Sequence, residues 1–326
     1  MRGDMKISIS LAGAGSGRDG YCDAYREPYT MERFFETLAG IPGVDGVDLA
    51  YPFGAFGLPD DPVRVDEMVR GYGLRVANVM VDTYIGSEWK WGTFTATDPQ
   101  VRAKGIRMHK ELMEVAEALG AVAGIWLAHD GFDYVFQADY ARHWDMLVEA
   151  FREVTAHRPG VRAAIEYKLK DPRHFCHISN VGTCLALIDE VGAPNLGVLQ
   201  DMGHSLIARE NMAEAAVLSM RRGRLFHTHF NENYRSEDID LMAGSVHIWE
   251  TIECLYWLSK LGYQGWYGFD VISKREEPAR HIPYSVGMIR QLMEIAASLD
   301  GDLLAAAQRE QDAVAALEHV RQRALR

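Results

Sequence analysis

The strongest constraint on this chain is a rhythm: a short apolar segment followed by a longer amphipathic one, repeated eight times. The apolar pieces are KISISLAG from Lys6, GVDGVDLAYP from Gly43, LRVANVMVD from Leu74, AGIWLAHDG from Ala123, RAAIEYKLK from Arg162, NLGVLQDMGH from Asn195, LFHTHFNEN from Leu225 and GWYGFDVIS from Gly265. Stretches with helical period lie between them, such as MERFFETLAG and IWETIECLYWLSKLG, and Gly40, Gly120 and Gly262 stand where helices end. Strands that alternate with helices and are apolar throughout are parallel and covered on both faces. Eight such units make a (β/α)8 barrel. An open doubly wound sheet is the rival, and it would place a GxGxxG turn after its first strand. GAGSGRDG, from Gly13 to Gly20, is glycine-rich without that spacing and reads as a mobile loop.

At 326 residues and 48% hydrophobic content the chain can bury one large core. Residues 1–299 are expected to form the catalytic barrel. Residues 300–326, helical by period, are expected to be an extension that caps the barrel or reaches a neighbouring subunit. A net charge of -12 repels phosphate backbones and anionic lipid, which argues against nucleic acid and membrane partners. Neutral polar molecules and divalent cations remain. The start MRGDMKISIS lacks the apolar stretch of a signal peptide, and the four cysteines form no CxxC pair, so a cytoplasmic enzyme with reduced thiols is expected.

In a parallel barrel the informative residues are ionisable side chains late in strands, because active sites lie at that end. Glu166 and Lys168 end the fifth strand, two apart and so on one face; Asp201 and His204 end the sixth; His227 and His229 end the seventh; Asp270 ends the eighth. Carboxylates converging in one mouth cannot all be desolvated without a counter-charge. A divalent cation held by Glu166, Asp201, His229 and Asp270 resolves the repulsion, and a donor set rich in oxygen suits manganese first, then magnesium or cobalt. His204 with the DxD pair Asp238 and Asp240 would hold a second ion. Five carboxylates, two divalent ions and Lys168 then balance to zero net charge. His227 has no assigned ligand role and reads as a supporting residue. His129, at the end of the fourth strand, and the aromatic residues Tyr51, Phe53, Trp89, Trp91 and Phe132 are the expected substrate-contacting side chains, since sugars present apolar C–H faces to rings.

The stretches EYK at Glu166–Lys168, DMGH at Asp201–His204, HFNENY at His229–Tyr234 and EDIDLMAGS at Glu237–Ser245, together with Asp270, resemble the xylose-isomerase-like barrels, and most closely the L-rhamnose isomerases of broad specificity. The resemblance covers roughly residues 160–275; the first half matches in pattern alone. It implies that Glu166, Asp201, His229 and Asp270 bind a structural metal, that His204, Asp238 and Asp240 bind a catalytic one, and that Lys168 approaches the substrate oxygen near C1. The interval from His229 to the DxD pair is one residue longer than the family pattern, which leaves Glu237 competing with Asp238.

The implied reaction is aldose–ketose isomerisation: two ions polarise adjacent sugar oxygens while hydride passes between C1 and C2, with Lys168, His204 and Asp240 as the catalytic groups. Two alternatives stay open on the same barrel. One is a ketose 3-epimerase working through an enediol, a branch whose eighth-strand ligand is typically Glu, where this chain has Asp270. The other is the catalytic subunit of a manganese-dependent C-glycoside deglycosidase acting on 3-oxo-glycosides, which would bring a small partner subunit. A homo-oligomer is the expected assembly otherwise. An abasic-DNA endonuclease would need more histidines and a basic groove, and a non-catalytic sugar sensor would need neither the second metal nor Lys168.

Overall fold

The structure, a computed structural model, describes residues 5–171 and 174–325. Among these, eight parallel strands close a barrel in sequential order: β1 (Lys6–Ser10), β2 (Gly46–Tyr51), β3 (Arg75–Val81), β4 (Val122–Ile125), β5 (Ala163–Glu166), β6 (Leu196–Asp201), β7 (Leu225–His229) and β8 (Trp266–Phe269), with β8 pairing back onto β1. Each coincides with one of the eight apolar segments. The chain is a (β/α)8 barrel.

The helices that follow the strands are α1 (Met31–Ala39), α2 (Pro62–Gly71), α3 (Pro99–Leu119), α4 (Tyr140–His157), α5 (Val181–Val191), α6 (Met202–Ile207), α7 (Met212–Arg221), α8 (Ile248–Lys260) and α9 (Pro278–Ala297). Their starts follow from capping chemistry. Asp98, Asp139, Asn180 and Asn211 each accept a hydrogen bond from a backbone N–H of the first turn, satisfying donors that the helix cannot. The core lies between strands and helices, where Ile7, Phe34, Phe35, Val79, Leu112, Phe151 and Leu255 are fully buried.

Two short helices follow, α10 (Gly301–Glu310) and α11 (Ala313–Ala324). Leu304 and Ala307 of α10 are buried, whereas α11 buries no residue. Residues 1–4, 172–173 and 326 of the two expected units lie outside the described residues.

Two local features depart from the sequence expectation. The glycine-rich segment begins with a 3-10 turn over Leu11–Ala14 rather than an irregular loop, because the Ser10 hydroxyl accepts from the N–H of Ala12. A small antiparallel sheet of Gly131–Phe132, His174–Cys176 and Lys170–Asp171 follows the ends of β4 and β5. Its strands are too short to carry a period, so pattern alone could not show them.

Register positions the functional end. Asp201 at the end of β6 lies level with His229 at the end of β7, and His229 lies level with Gly268 of β8. Residues far apart in the chain therefore come to one height on one rim.

Candidate metal centre

Glu166, Asp201, His229 and Asp270 meet at that rim. Each offers one ligand atom, and the four atoms lie within 4.8 Å of one another. Glu166 Oε1 is 2.9 Å from His229 Nδ1, and Asp201 Oδ2 is 4.0 Å from the same nitrogen. The first three side chains are buried and Asp270 is half-buried, with its Oδ1 shielded and unpartnered.

Each side chain is held by its neighbours. Asp201 caps α6: one oxygen accepts from the His204 backbone N–H at 2.8 Å, and the other accepts from Asn231 Nδ2 at 2.7 Å. This close approach explains the glycine in DMGH, since a Cβ on Gly203 would collide with the Asn231 amide. His204 is therefore a residue of α6, three beyond Asp201, rather than the last residue of the strand. The helical turn still brings its ring to the rim, with Nδ1 at 3.0 Å from the Tyr167 carbonyl.

The second group of expected ligands adjoins the first. Asp238 Oδ2 accepts from His204 Nε2 at 3.1 Å and from Lys168 Nζ at 2.9 Å. Asp238 Oδ1 is buried without a partner. Glu237 instead turns outward to Lys170 at 3.0 Å, so it is Asp238 that the fold brings to the site. Asp240 reaches the same region with φ 45°, in the left-handed region that Asp tolerates better than most residues. The remaining acids of this segment serve the fold: Glu232 holds His247 at 2.8 Å and Glu250 pairs with Arg235 at 3.1 Å.

Electrostatics show what the cluster lacks. Burial, added to by the charge of Glu166, pushes Asp201 up to about 7. Burial and the neighbouring Glu166 also raise Asp270, and burial with Asp238, Asp270 and Asp201 around it holds Asp240 well above the usual carboxylate range. Burial works against a charged His204, yet Asp201 and Asp238 outweigh it and raise that imidazole to about 9. His229 is raised likewise, with Glu166 and Asp48 overcoming burial. Carboxyls pushed up by burial and like-charged neighbours, and imidazoles drawn up by the same acids, mark a site short of positive charge. The orphaned oxygens of Asp270 and Asp238 point the same way. An oxygen-rich, one-nitrogen donor set with unpartnered carboxylate oxygens fits a hard divalent cation.

The expected aromatic contacts are distributed differently. Trp89 is 2% exposed, in the core, and Trp91 is 62% exposed on the surface. Tyr51 packs edge-on against the buried Phe53 at 5.5 Å. Phe132 belongs to the small antiparallel sheet and lines a neighbouring groove of about 340 Å³ with Tyr140, Trp144, Phe175 and His177. His129 bonds the Tyr84 carbonyl at 2.9 Å and stacks on His174. The ring that lines the cavity with Glu166 and Lys168 is Trp126. Lys168 Nζ sits 4.7 Å from its centroid, and Tyr84 packs against it at 4.6 Å. Sequence reasoning passed over Trp126 although it lies in the quoted fourth strand segment, two residues before Ala128.

One further residue was missed. Asp48, in the middle of β2, is 4% exposed and accepts from His227 Nε2 at 3.0 Å and His229 Nε2 at 3.1 Å with a single oxygen. The signal was present: an acid within the apolar GVDLAY.

With this geometry in view, the comparisons with known proteins decide the family. Residues 35–292 match the family described as the xylose isomerase-like TIM barrel. The chain belongs to that family. It is 30% identical over 279 residues to the xylose isomerase of Thermus thermophilus, covering 80% of this chain and 70% of that one. Among solved structures, a D-tagatose 3-epimerase-like protein superposes with a TM-score of 0.68 at 16% identity, covering 90% of this chain and 98% of the other. A 3-keto-D-glucoside 4-epimerase from E. coli superposes with a TM-score of 0.63 at 17% identity, covering 88% and 99%. These two solved structures share the barrel fold with this xylose isomerase-like chain.

Proposed function

We propose that this xylose isomerase-like chain is a divalent-metal-dependent aldose–ketose isomerase of the L-rhamnose isomerase type, moving hydrogen between C1 and C2 of a sugar. The chain is an enzyme of sugar isomerase type, as its kinship with xylose isomerase supports. The single observation that carries the finer reading is Lys168: a buried ammonium over Trp126, bonded to Asp238, between the two ligand sets.

In this reading Glu166, Asp201, His229 and Asp270 hold one ion, manganese first, and His204, Asp238 and Asp240 hold a second. Divalent ions supply Lewis acidity to adjacent substrate oxygens. The residues do the rest. Lys168, carried by the backbone just beyond β5, donates to the oxygen on C1 and stabilises charge as it develops there. Trp126, which lines the cavity beside Glu166 and Lys168 and is backed by Tyr84, offers its ring to the sugar's C–H surface. Asp201, fixed by the α6 N-terminus and Asn231, cannot swing away as substrate enters. The reading also carries a homo-oligomeric, cytoplasmic enzyme, as expected from the sequence.

A second reading is favoured by Asp240. Burial and the charges of Asp238, Asp270 and Asp201 push its carboxyl well above the usual range, while His229 draws Glu166 below it against burial, and carboxyls whose proton affinities are driven apart suit the acid–base work of an enediol route. That route would make the chain a ketose 3-epimerase, or a lyase acting on 3-oxo-glycosides with a partner subunit.

Turnover of an aldose and ketose panel in D2O, with manganese supplied, separates the two. Isomerisation at C1 and C2 without solvent deuterium in the product supports the hydride shift. Deuterium at C3, or activity confined to 3-oxo-glycosides, replaces it with the enediol reading.

A further inference from the structure

Asp48 sits on β2, across the barrel from the four-ligand cluster's own strands, and belongs to neither proposed ligand set. It is nonetheless the partner of His229 on the side away from Glu166. His229 is gripped at both nitrogens: Nδ1 faces Glu166 Oε1 at 2.9 Å, and Nε2 faces Asp48 Oδ2 at 3.1 Å. Asp48 Oδ2 also receives His227 Nε2 at 3.0 Å, and the two imidazoles stand edge to face with centroids 5.2 Å apart.

We infer that Asp48 is the positioning residue for His229, fixing its tautomer so that Nδ1 is the nitrogen offered to a divalent cation. The inference rests on the metal-site reading given above. Its physical basis is a proton count at one ring. A neutral imidazole carries one N–H, and the nitrogen that binds a cation must be the bare one. Glu166 faces Nδ1 in the same way, but as a ligand of the cation it would no longer hold a proton there; Asp48, 3.1 Å from Nε2 and outside the ligand set, is the carboxylate left to keep the ring's one proton, since removing it would leave two acceptors facing each other in a buried place. Nδ1 is then bare and aimed at the space between Glu166 and Asp201.

His227 completes the device. Its Nε2–H donates to the same oxygen, so Asp48 cannot rotate away without breaking two bonds, while His227 Nδ1 is buried and unpartnered. The backbone makes room for the arrangement at Gly268. A Cβ there would stand 2.8 Å from Asp48 Oδ2, 2.8 Å from His227 Nε2 and 2.7 Å from the Thr228 carbonyl, all too close. A glycine on β8 is therefore what lets a carboxylate from β2 reach histidines on β7.

The test uses the full chain and Mn2+ alone, titrated by calorimetry into wild type and Asp48→Asn. An asparagine of the same shape replaces the charged acceptor with a weaker neutral amide oxygen, and Mn2+ affinity is expected to fall about 10- to 100-fold. Equal affinity in a folded Asp48→Asn protein overturns the inference and leaves the metal site standing. Wild type that binds no Mn2+ overturns the metal-site reading itself, and the inference with it.

A second measurement needs no variant and so does not depend on Asp48→Asn folding. In Zn2+-loaded wild type labelled with 15N-histidine, His229 is expected to show a protonated Nε2 with a strongly downfield proton and a metal-shifted Nδ1. A bare or metal-shifted Nε2 in that spectrum contradicts the assignment.

Discussion

Lys168 and His204 share a single oxygen of Asp238, at 2.9 Å and 3.1 Å, so one carboxylate joins the cationic side chain beyond β5 to the imidazole at the start of α6. Lys168 is 6% exposed and cannot be serving solubility. Replacing it with methionine keeps the length and apolar stem, removes the charge and leaves the four ligands untouched. Lys168→Met is expected to bind manganese as wild type does while kcat falls by about 100- to 1,000-fold, the usual cost of losing one donor at a developing charge. Parallel metal analysis and turnover measurements check it; full activity would remove Lys168 from the chemistry.

His229→Ala addresses the ligand set. The substitution removes the one nitrogen donor, takes from Glu166 its buried imidazole and leaves Asp48 with His227 alone. Unpaired buried charge is costly, about 3–5 kcal/mol in comparable cases. Wild type is expected to melt higher with manganese than with chelator, because a ligand bound to the folded state alone stabilises it. In His229→Ala that increment is expected to vanish and the metal-free protein to melt below metal-free wild type.

Acidity gives a third expectation. Without a cation, burial and Glu166 hold the Asp201 proton up to about 7. Below that pH an entering cation must displace this proton, and above it need not. Affinity for manganese should therefore fall as pH drops below 7, by about tenfold per unit for this one proton, and more steeply where His229 also releases one. Dissociation constants measured between pH 5.5 and 8 check the sign; a flat profile would contradict it.

The aromatic wall can be tested by contrast. Trp126 lines the cavity beside Lys168, whereas Trp91 is 62% exposed. Trp126→Ala is expected to raise KM about tenfold, which corresponds to roughly 1.4 kcal/mol, and Trp91→Ala to stay within about twofold. Steady-state kinetics on whichever sugar is turned over decide the matter.

These outcomes also mark what the sequence could tell. The barrel was legible because eight apolar segments each had to be buried on both faces, and no other arrangement of alternating elements matches so well. Glu166, Asp201, His229 and Asp270 stood out for the related reason that charge at the end of an apolar strand demands an explanation. Asp48 carried the same signal and was missed because it lies within its strand, where an acid reads as a lapse in the pattern and its partners are 179 and 181 residues away. The placement of the aromatic rings was illegible for a different reason. Loop rings such as Trp89 and Trp91 have no period, and composition cannot say which of them the chain folds inward. The DxD segment fell between: Asp238 and Glu237 are chemically alike, and only the turn of the backbone sends one to His204 and the other to Lys170.

The central claim is that one cation cancels the mutual repulsion of side chains drawn from β5, β6, β7 and the end of β8. Anomalous diffraction from a crystal equilibrated with manganese tests it most directly. A peak bounded by Glu166, Asp201, His229 Nδ1 and Asp270 is expected. The absence of any peak there at saturating manganese, with the four side chains in the positions described, would contradict it.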